Sequence, residues 1–272
     1  MRKFLVIWVG EFISSIGSGM TAFALGVYAY QLTHSATAGA VIALLSFLPT
    51  ILLSAFGGAL ADRMDRRLLM LCGDFFSAFG LIYILICIKG GHIAIWQIYI
   101  GVIISAIFIS LVEPAYKATV TDLLTEDEFA KASGLVQIAS AAKYLISPFA
   151  AGIVLSISDI STILIIDIAT FITTVITLTL VRKDLKSDIT ANSKRTLLVD
   201  IKEGWQAILK RKGVLMLVLT MTGVCFYMGF VQILMTPMIL AFSNASALGY
   251  MESISAIGML IGSLCIGIFN IK

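Results

Sequence analysis

Five ionisable residues, Glu11, Asp74, Glu113, Lys143 and Asp167, fall inside long apolar stretches of the chain. A charge held at the centre of a bilayer costs roughly 2.5–3.5 kcal/mol on insertion scales, so each one calls for a partner or a function. The chemistry such a set offers is proton transfer, because burial lets a carboxyl change its protonation state near neutral pH as its surroundings alternate. Glu11 and Glu113 are the candidates for that role, with Lys143 as the basic member. Lys143 stands near the middle of its stretch, too deep to snorkel to the surface, and must pair with an acid or line a wet cavity. Glu11, Glu113 and Asp167 are available to it, and a Glu113–Lys143 ion pair that only holds helices together stays open as an alternative. Asp74 could brace the charged loop that precedes it, and Asp167, in Ile-Asp-Ile-Ala-Thr-Phe, reads as a capping or bracing group.

Other chemistries find little support. Cys72, Cys87, Cys225 and Cys265 all lie in apolar stretches without a CxxC or Cys/His spacing, so packing is their role and no metal or cofactor is expected. His34 and His92 fall in short loops with no nucleophile and base brought together, which makes an enzyme the least expected class. A net charge of +3 is too small to suggest nucleic acid as a partner.

The elements that must position the charged set follow from composition. With 59% hydrophobic and 13% charged residues in 272, the chain has about half the charge of a soluble domain, and a soluble fold is excluded. Its apolar stretches approach the ~20 residues that a helix needs to cross the hydrocarbon core. Charges, Gly/Pro pairs and small polar clusters divide it into eight spans, near 4–30, 38–61, 68–88, 93–117, 131–157, 160–181, 213–241 and 247–271. The predicted fold is an all-α polytopic membrane helical bundle within the lipid bilayer. Residues 1–181 form a six-helix bundle, 182–212 a polar linker, and 213–272 two further spans. In the linker, Leu197, Leu198, Ile201, Trp205, Ile208 and Leu209 recur at helical spacing, which predicts an amphipathic helix on the membrane surface or against neighbouring loops.

Lys and Arg concentrate at one side of the hairpin pattern: Arg2, Lys3, Arg63, Arg66, Arg67, Lys117, Lys131, nine residues from Arg182 to Lys212, and Lys272. The other side holds only Lys89. Since translocated positive charge is disfavoured, a cytoplasmic N-terminus and linker in a multi-pass cell-membrane protein are expected. A shift of about 210 residues places Gly19 on Gly229, Gly39 on Gly249 and Gly57 on Gly267, the mark of a duplicated unit. The same shift sets Lys272 on Asp62, so the sequence ends where a second copy of the first charged loop would begin.

That loop reads Gly57-Gly58-Ala59-Leu60-Ala61-Asp62-Arg63-Met64-Asp65-Arg66-Arg67. Its glycines are expected to let the second and third helices approach closely, and an Asp beside a basic triad can build a charge network at the helix ends. It resembles the Gly-x-Leu-Ala-Asp-Arg-x-Gly-Arg-Arg signature of the major facilitator superfamily at Gly58, Leu60, Asp62, Arg63, Arg66 and Arg67, with Asp65 where the signature has Gly. The fifth span is similar to the superfamily's antiporter motif through Gly134, Ser147, Pro148, Ala151 and Gly152, with Lys143 in place of one glycine. The segments from Val9 to Gly17, Glu113 to Tyr116, Ala132 to Leu135, Ile166 to Phe171 and Asp200 to Trp205 resemble the macrolide-efflux branch of drug exporters.

The resemblance implies twelve helices in two six-helix halves that rock about a central cavity, of which this chain would supply about eight, as a fragment or as a truncated product. Spans one and four would line the cavity, and the charged loop would act as a conformational gate. The function implied is proton-driven efflux of small amphipathic, macrolide-type compounds without a bound cofactor. Export of an endogenous metabolite, siderophore or peptide, and an inactive or non-transporting membrane subunit, are the alternatives. Oligomeric state is not legible. Phe23, Tyr116 and Tyr144 are the candidate cavity residues, Tyr144 because it adjoins Lys143.

Overall fold

The computed structural model describes residues 2–61, 64–91, 93–124, 126–181 and 208–269. Every long element among them is an α-helix. In chain order these are α1 (Arg2–Thr33), α2 (Ala36–Ala61), α3 (Arg66–Lys89), α4 (Ile95–Leu123), α5 (Glu126–Ile157), α6 (Ile160–Leu180), α7 (Lys212–Leu240) and α8 (Ala245–Phe269). The first seven contain stretches long and apolar enough to cross a membrane, and α8, at 25 residues, matches their length. In a medium without water, a helix satisfies its own backbone groups, which is why such sequences adopt little else. The linker helix predicted around 197–209 lies almost wholly outside the described residues.

Turn chemistry sets the helix ends. Asp65, the departure from the superfamily signature, is the N-cap of α3, its Oδ1 accepting the Arg67 backbone N–H at 3.0 Å. The Ala94 N–H donates to Gln97 Oε1 at 2.8 Å at the start of α4, and Asp159 caps α6 through the Thr162 N–H at 3.3 Å. Gly91 turns the chain between α3 and α4 with a φ of 91°, a conformation that favours glycine. Helices α4 and α5 run past the expected span limits of 117 and 131, because a helix continues through its charged end when nothing breaks it.

The helices alternate direction between an N-terminal face, carrying Lys3, Met64, Leu124 and Arg211, and a distal face, carrying Ser35, Gly91, Ser158 and Ser243. Within the first six, α3 packs on α4, α2 on α4, and α1 on both α5 and α6. Small residues permit this: the missing Cβ of Gly80 is filled by the Gly101 carbonyl, and a Cβ on Gly73 would meet Phe108 O at 3.0 Å. One apolar cluster, around Phe4, Met70 and Leu178, lies towards the N-terminal face, and a larger one, around Phe23, Leu81, Ile98 and Leu164, lies towards the distal face.

The last two helices join the first six mainly through α5 and α8. Gly249 sits on the Pro148 carbonyl, Gly249 and Gly152 face each other, and Phe149 and Tyr250 pack edge to face at 5.4 Å. Ser246 and Ser253 donate to the carbonyls of Gly152 and Leu145 at 2.9 and 2.8 Å. All these contacts lie on the distal half of α5. The N-terminal-face half of α7 is almost wholly exposed, and the described contacts between the two groups of helices lie at the distal end.

Candidate functional site

Helix α1 is the spine of the charged region. Its polar positions recur along one side, and α6 fits against them through glycines: Gly10 faces Thr177, and Gly17 faces Thr170 and the Asp167 carboxylate, to which a Cβ there would come within 2.9 Å. Ser18 Oγ donates to Asp167 Oδ1 at 3.2 Å. Asp167 is therefore a mid-helix brace between α6 and α1, not a cap, and it is 2% exposed.

Helix α5 meets the same spine from the other side. Ser147, fully buried, donates to the Ile16 carbonyl at 3.0 Å, and a Cβ on Gly19 would lie 2.7 Å from Ser147 Cβ and 3.1 Å from Lys143 Cγ. Gly19 thus makes room for the stem of Lys143 to pass along α1. From there its ammonium acts electrostatically on both Glu11 and Asp167. Glu11 also lies in the field of Glu113, and Asp74 in that of Glu11 and Asp167. Two acids, Glu11 on α1 and Asp167 on α6, thus share the field of the one ammonium from α5.

Glu113 takes a different place from the alternative left open by the sequence. Its Oε1 accepts from Lys117 Nζ at 2.7 Å, an exposed i,i+4 pair on α4, so the ion pair with Lys143 is not formed. Asp74 lies eight residues into α3, 2% exposed, with Oδ2 unpartnered among the described residues. Of the expected cavity residues, Phe23 and Tyr116 are buried in the distal and N-terminal-face clusters at 9% and 8% exposure. Tyr144 is exposed.

The gating loop is described in part. Asp62 and Arg63 lie outside the described residues. Arg66 Nη1 donates to the Ala118 carbonyl at 3.1 Å, tying the start of α3 to the end of α4, and Arg67 is buried. The expected close approach of α2 and α3 at the glycines does not occur: Gly57 packs on α4, where a Cβ would meet Pro114 Cγ at 2.9 Å, and Gly58 has nothing within 4 Å. The antiporter-like motif divides as well. Gly134 stands in open space, Ser147 binds α1, and Pro148 and Gly152 form the seat of α8.

Sequence reading overlooked Glu252, a carboxyl two turns into α8. The signal was present, an acid inside the span drawn at 247–271, but its nearness to the span's start disguised it. A cleft of about 780 Å³ opens on the distal face beside Tyr30, Gln31, His34 and Asn244. It lies about 28 Å of helix away from Glu11, beside the distal apolar cluster.

A bundle of hydrophobic helices enclosing charges that no soluble core would tolerate is that of a multi-pass α-helical membrane protein. The sequence profile of the Major Facilitator Superfamily matches residues 7–271, and the chain belongs to that superfamily. It is 27% identical over 270 residues to Macrolide efflux protein A of Streptococcus pyogenes, covering 98% of this chain and 67% of that protein. To Macrolide efflux protein A of Enterococcus faecalis it is 26% identical over 231 residues, covering 84% and 72%. A solved peptide transporter, POT in complex with sulfate, shares the fold with a TM-score of 0.55 at 14% identity, over 89% of this chain and 51% of that one. The chain spans about two thirds of the curated relatives' length and half of the solved transporter's.

Proposed function

We propose that the chain forms the first six-helix bundle and the first two helices of the second bundle of a secondary transporter. It exports small amphipathic compounds of macrolide type in exchange for protons, by alternating access. The observation that carries this reading is the convergence of Glu11, Asp167 and Lys143 from α1, α6 and α5, one of which, α5, also seats α8. When Glu11 takes a proton, Lys143 loses one counter-charge and Asp167 keeps the other. The balance of attraction between α1 and α5 changes at the helix that contacts the second group. Gly152 and Gly249, with no side chains to interlock, leave that contact free to pivot. The exposed N-terminal-face half of α7 offers the substrate an entry at that face, and the bias of Lys and Arg towards it supports a cytoplasmic side in a cell-membrane protein. The two macrolide-efflux relatives support the substrate class. The proton motive force supplies the energy, with no bound cofactor.

The test is drug accumulation in cells lacking their own pumps, with wild type, Glu11→Gln, Glu113→Gln and empty vector, with and without a protonophore. Lower accumulation in wild type, abolished by protonophore and by Glu11→Gln, is expected. Accumulation equal to the vector despite confirmed insertion overturns the reading.

A further inference from the structure

The cleft on the distal face takes no part in the coupling scheme, and its lining has a chemistry of its own. Three segments build it: the end of α1, the end of α5 and the turn that joins α7 to α8. Its volume of about 780 Å³ falls within the ~300–1,000 Å³ of small-molecule sites. Leu155 and Leu240, packed on the distal apolar cluster, supply an apolar wall. Among the described residues no Asp, Glu, Lys or Arg lines it, so an ionic ligand would find no counter-charge there.

Neutral polar groups are plentiful instead. The Tyr30 phenol, the Gln31 amide, the His34 imidazole, the Ser243 hydroxyl and the Asn244 amide nitrogen belong to lining residues and make no hydrogen bond with a described residue. Asn244 Oδ1 accepts the Ala247 N–H at 3.0 Å, which fixes that side chain at the start of α8 and leaves its N–H groups for a ligand. The hydroxyls of Ser156 and Ser246 donate to the carbonyls of Ile153 and Gly152 at 2.6 and 2.9 Å and keep lone pairs that can accept. The rings of Tyr30 and His34 meet edge to face with centroids 6.2 Å apart. His34 holds a φ of 51°, in the left-handed region that side chains seldom adopt and that recurs where a chain clamps a ligand. A ligand matched to this set is uncharged, offers groups that both donate and accept, and has an apolar face to lay on an aromatic ring. A sugar has all three properties: each hydroxyl donates and accepts, and the C–H face of the ring is apolar.

We propose that the distal cleft is a binding site for a neutral sugar group, carried by a soluble glycoside or by the headgroup of a glycolipid in the distal leaflet. Tyr30 and His34 give ring surface to one face of the sugar, and Gln31, Ser243 and Asn244 bond its hydroxyls. The site goes beyond the export reading and does not depend on it, since it lies apart from Glu11 and Lys143 and needs no gradient to fill. Tyr30, Gln31 and His34 belong to the first group of helices and Ser243 and Asn244 to the second. An occupant therefore bridges the two groups beside the seat of α8.

The test uses the full chain in phosphatidylcholine nanodiscs, prepared without sugar-based detergent. Saturation-transfer NMR follows maltose as the soluble probe and acetyl-trialanine-amide as an uncharged peptide. Native mass spectrometry, in a polyoxyethylene detergent, compares retention of monoglucosyl-diacylglycerol with that of diacylglycerol. Saturation transfer to maltose assigns soluble glycosides, and retention of the glucosyl lipid by at least about threefold over its unglycosylated form assigns glycolipid. Gln31→Ala and Tyr30→Phe should each weaken sugar binding about two- to tenfold, the worth of one neutral hydrogen bond. Ala241→Trp, which fills the cleft, should abolish it, and Lys89→Ala, on the same face but outside the lining, should leave it unchanged. Failure of both sugar probes to bind wild type, peptide binding as strong as that of maltose, binding that survives Ala241→Trp, or an equal loss in Lys89→Ala would each overturn the proposal. Sugar binding in a chain that exports no drug from cells would count against the export reading alone.

Discussion

The contact between α5 and α8 gives the sharpest energetic expectation. A Cβ placed on Gly249 lands on the Pro148 carbonyl oxygen, 3.1 Å from Pro148 C and 3.4 Å from Gly152 Cα. All three are backbone atoms, so no side-chain rotation relieves the clash and the helices must separate. Overpacking of this kind costs about 1–3 kcal/mol. Replacing a helical glycine with alanine returns about 0.5–1 kcal/mol through reduced backbone freedom, leaving Gly249→Ala about 1–2 kcal/mol less stable. Gly258, on the same helix with nothing within 4 Å, supplies the control. There Gly258→Ala keeps only the favourable part, up to about 1 kcal/mol. The two variants should therefore differ by about 2 kcal/mol, about 30-fold in the unfolding constant. Titration with a denaturing detergent, followed by circular dichroism, measures both. Equal stability of the two variants would refute the backbone-on-backbone contact.

Further expectations concern single polar contacts. Ser147→Ala removes the hydrogen bond to the Ile16 carbonyl, with a loss of about 0.6 kcal/mol and at most about 1.7, because a membrane interior rewards such bonds only modestly; the same detergent titration reads it. Asp159→Ala, by removing the cap of α6, should cost about 0.5–2 kcal/mol in that assay. Burial pushes the Asp159 carboxyl up, but hydrogen bonds from Ser161 and Thr162 outweigh it and hold the group below the usual aspartate range. The sign follows: a depressed folded-state value adds stability above the unfolded-state value, and that contribution is lost as pH falls through the folded one. Wild type should thus approach Asp159→Ala in stability only under strongly acid conditions, and a difference that persists there would contradict the capping role.

The helices were legible in the sequence because the bilayer leaves a hydrophobic segment few alternatives, and all eight spans have a helical counterpart. Asp65 shows what a motif hides: a mismatch to the superfamily signature turns out to be the N-cap of α3. Partnership was less legible than position. Lys143 was recognisable as needing an acid, but which acid depended on Gly19, whose missing side chain lets the lysine stem run along α1 towards Glu11 and Asp167. Glu113 satisfied itself within α4 through Lys117, four residues away, a local solution that needs no tertiary fold. Residue type alone suggests a cavity for Phe23 and Tyr116, and both lie in the apolar clusters. Glu252 was missed because its depth is fixed by the turn at Asn244, which hydropathy places poorly.

The central claim is that protonation of Glu11, balanced by Lys143, couples the proton gradient to substrate movement. Its most direct test reconstitutes the full chain in liposomes, imposes a pH gradient without a membrane potential, and follows a radiolabelled macrolide and lumenal pH together. The account predicts macrolide movement against its gradient with matching proton flow in wild type. In Glu11→Gln both fluxes driven by the gradient should vanish while exchange of labelled for unlabelled macrolide persists. Undiminished proton-driven flux in Glu11→Gln would contradict it.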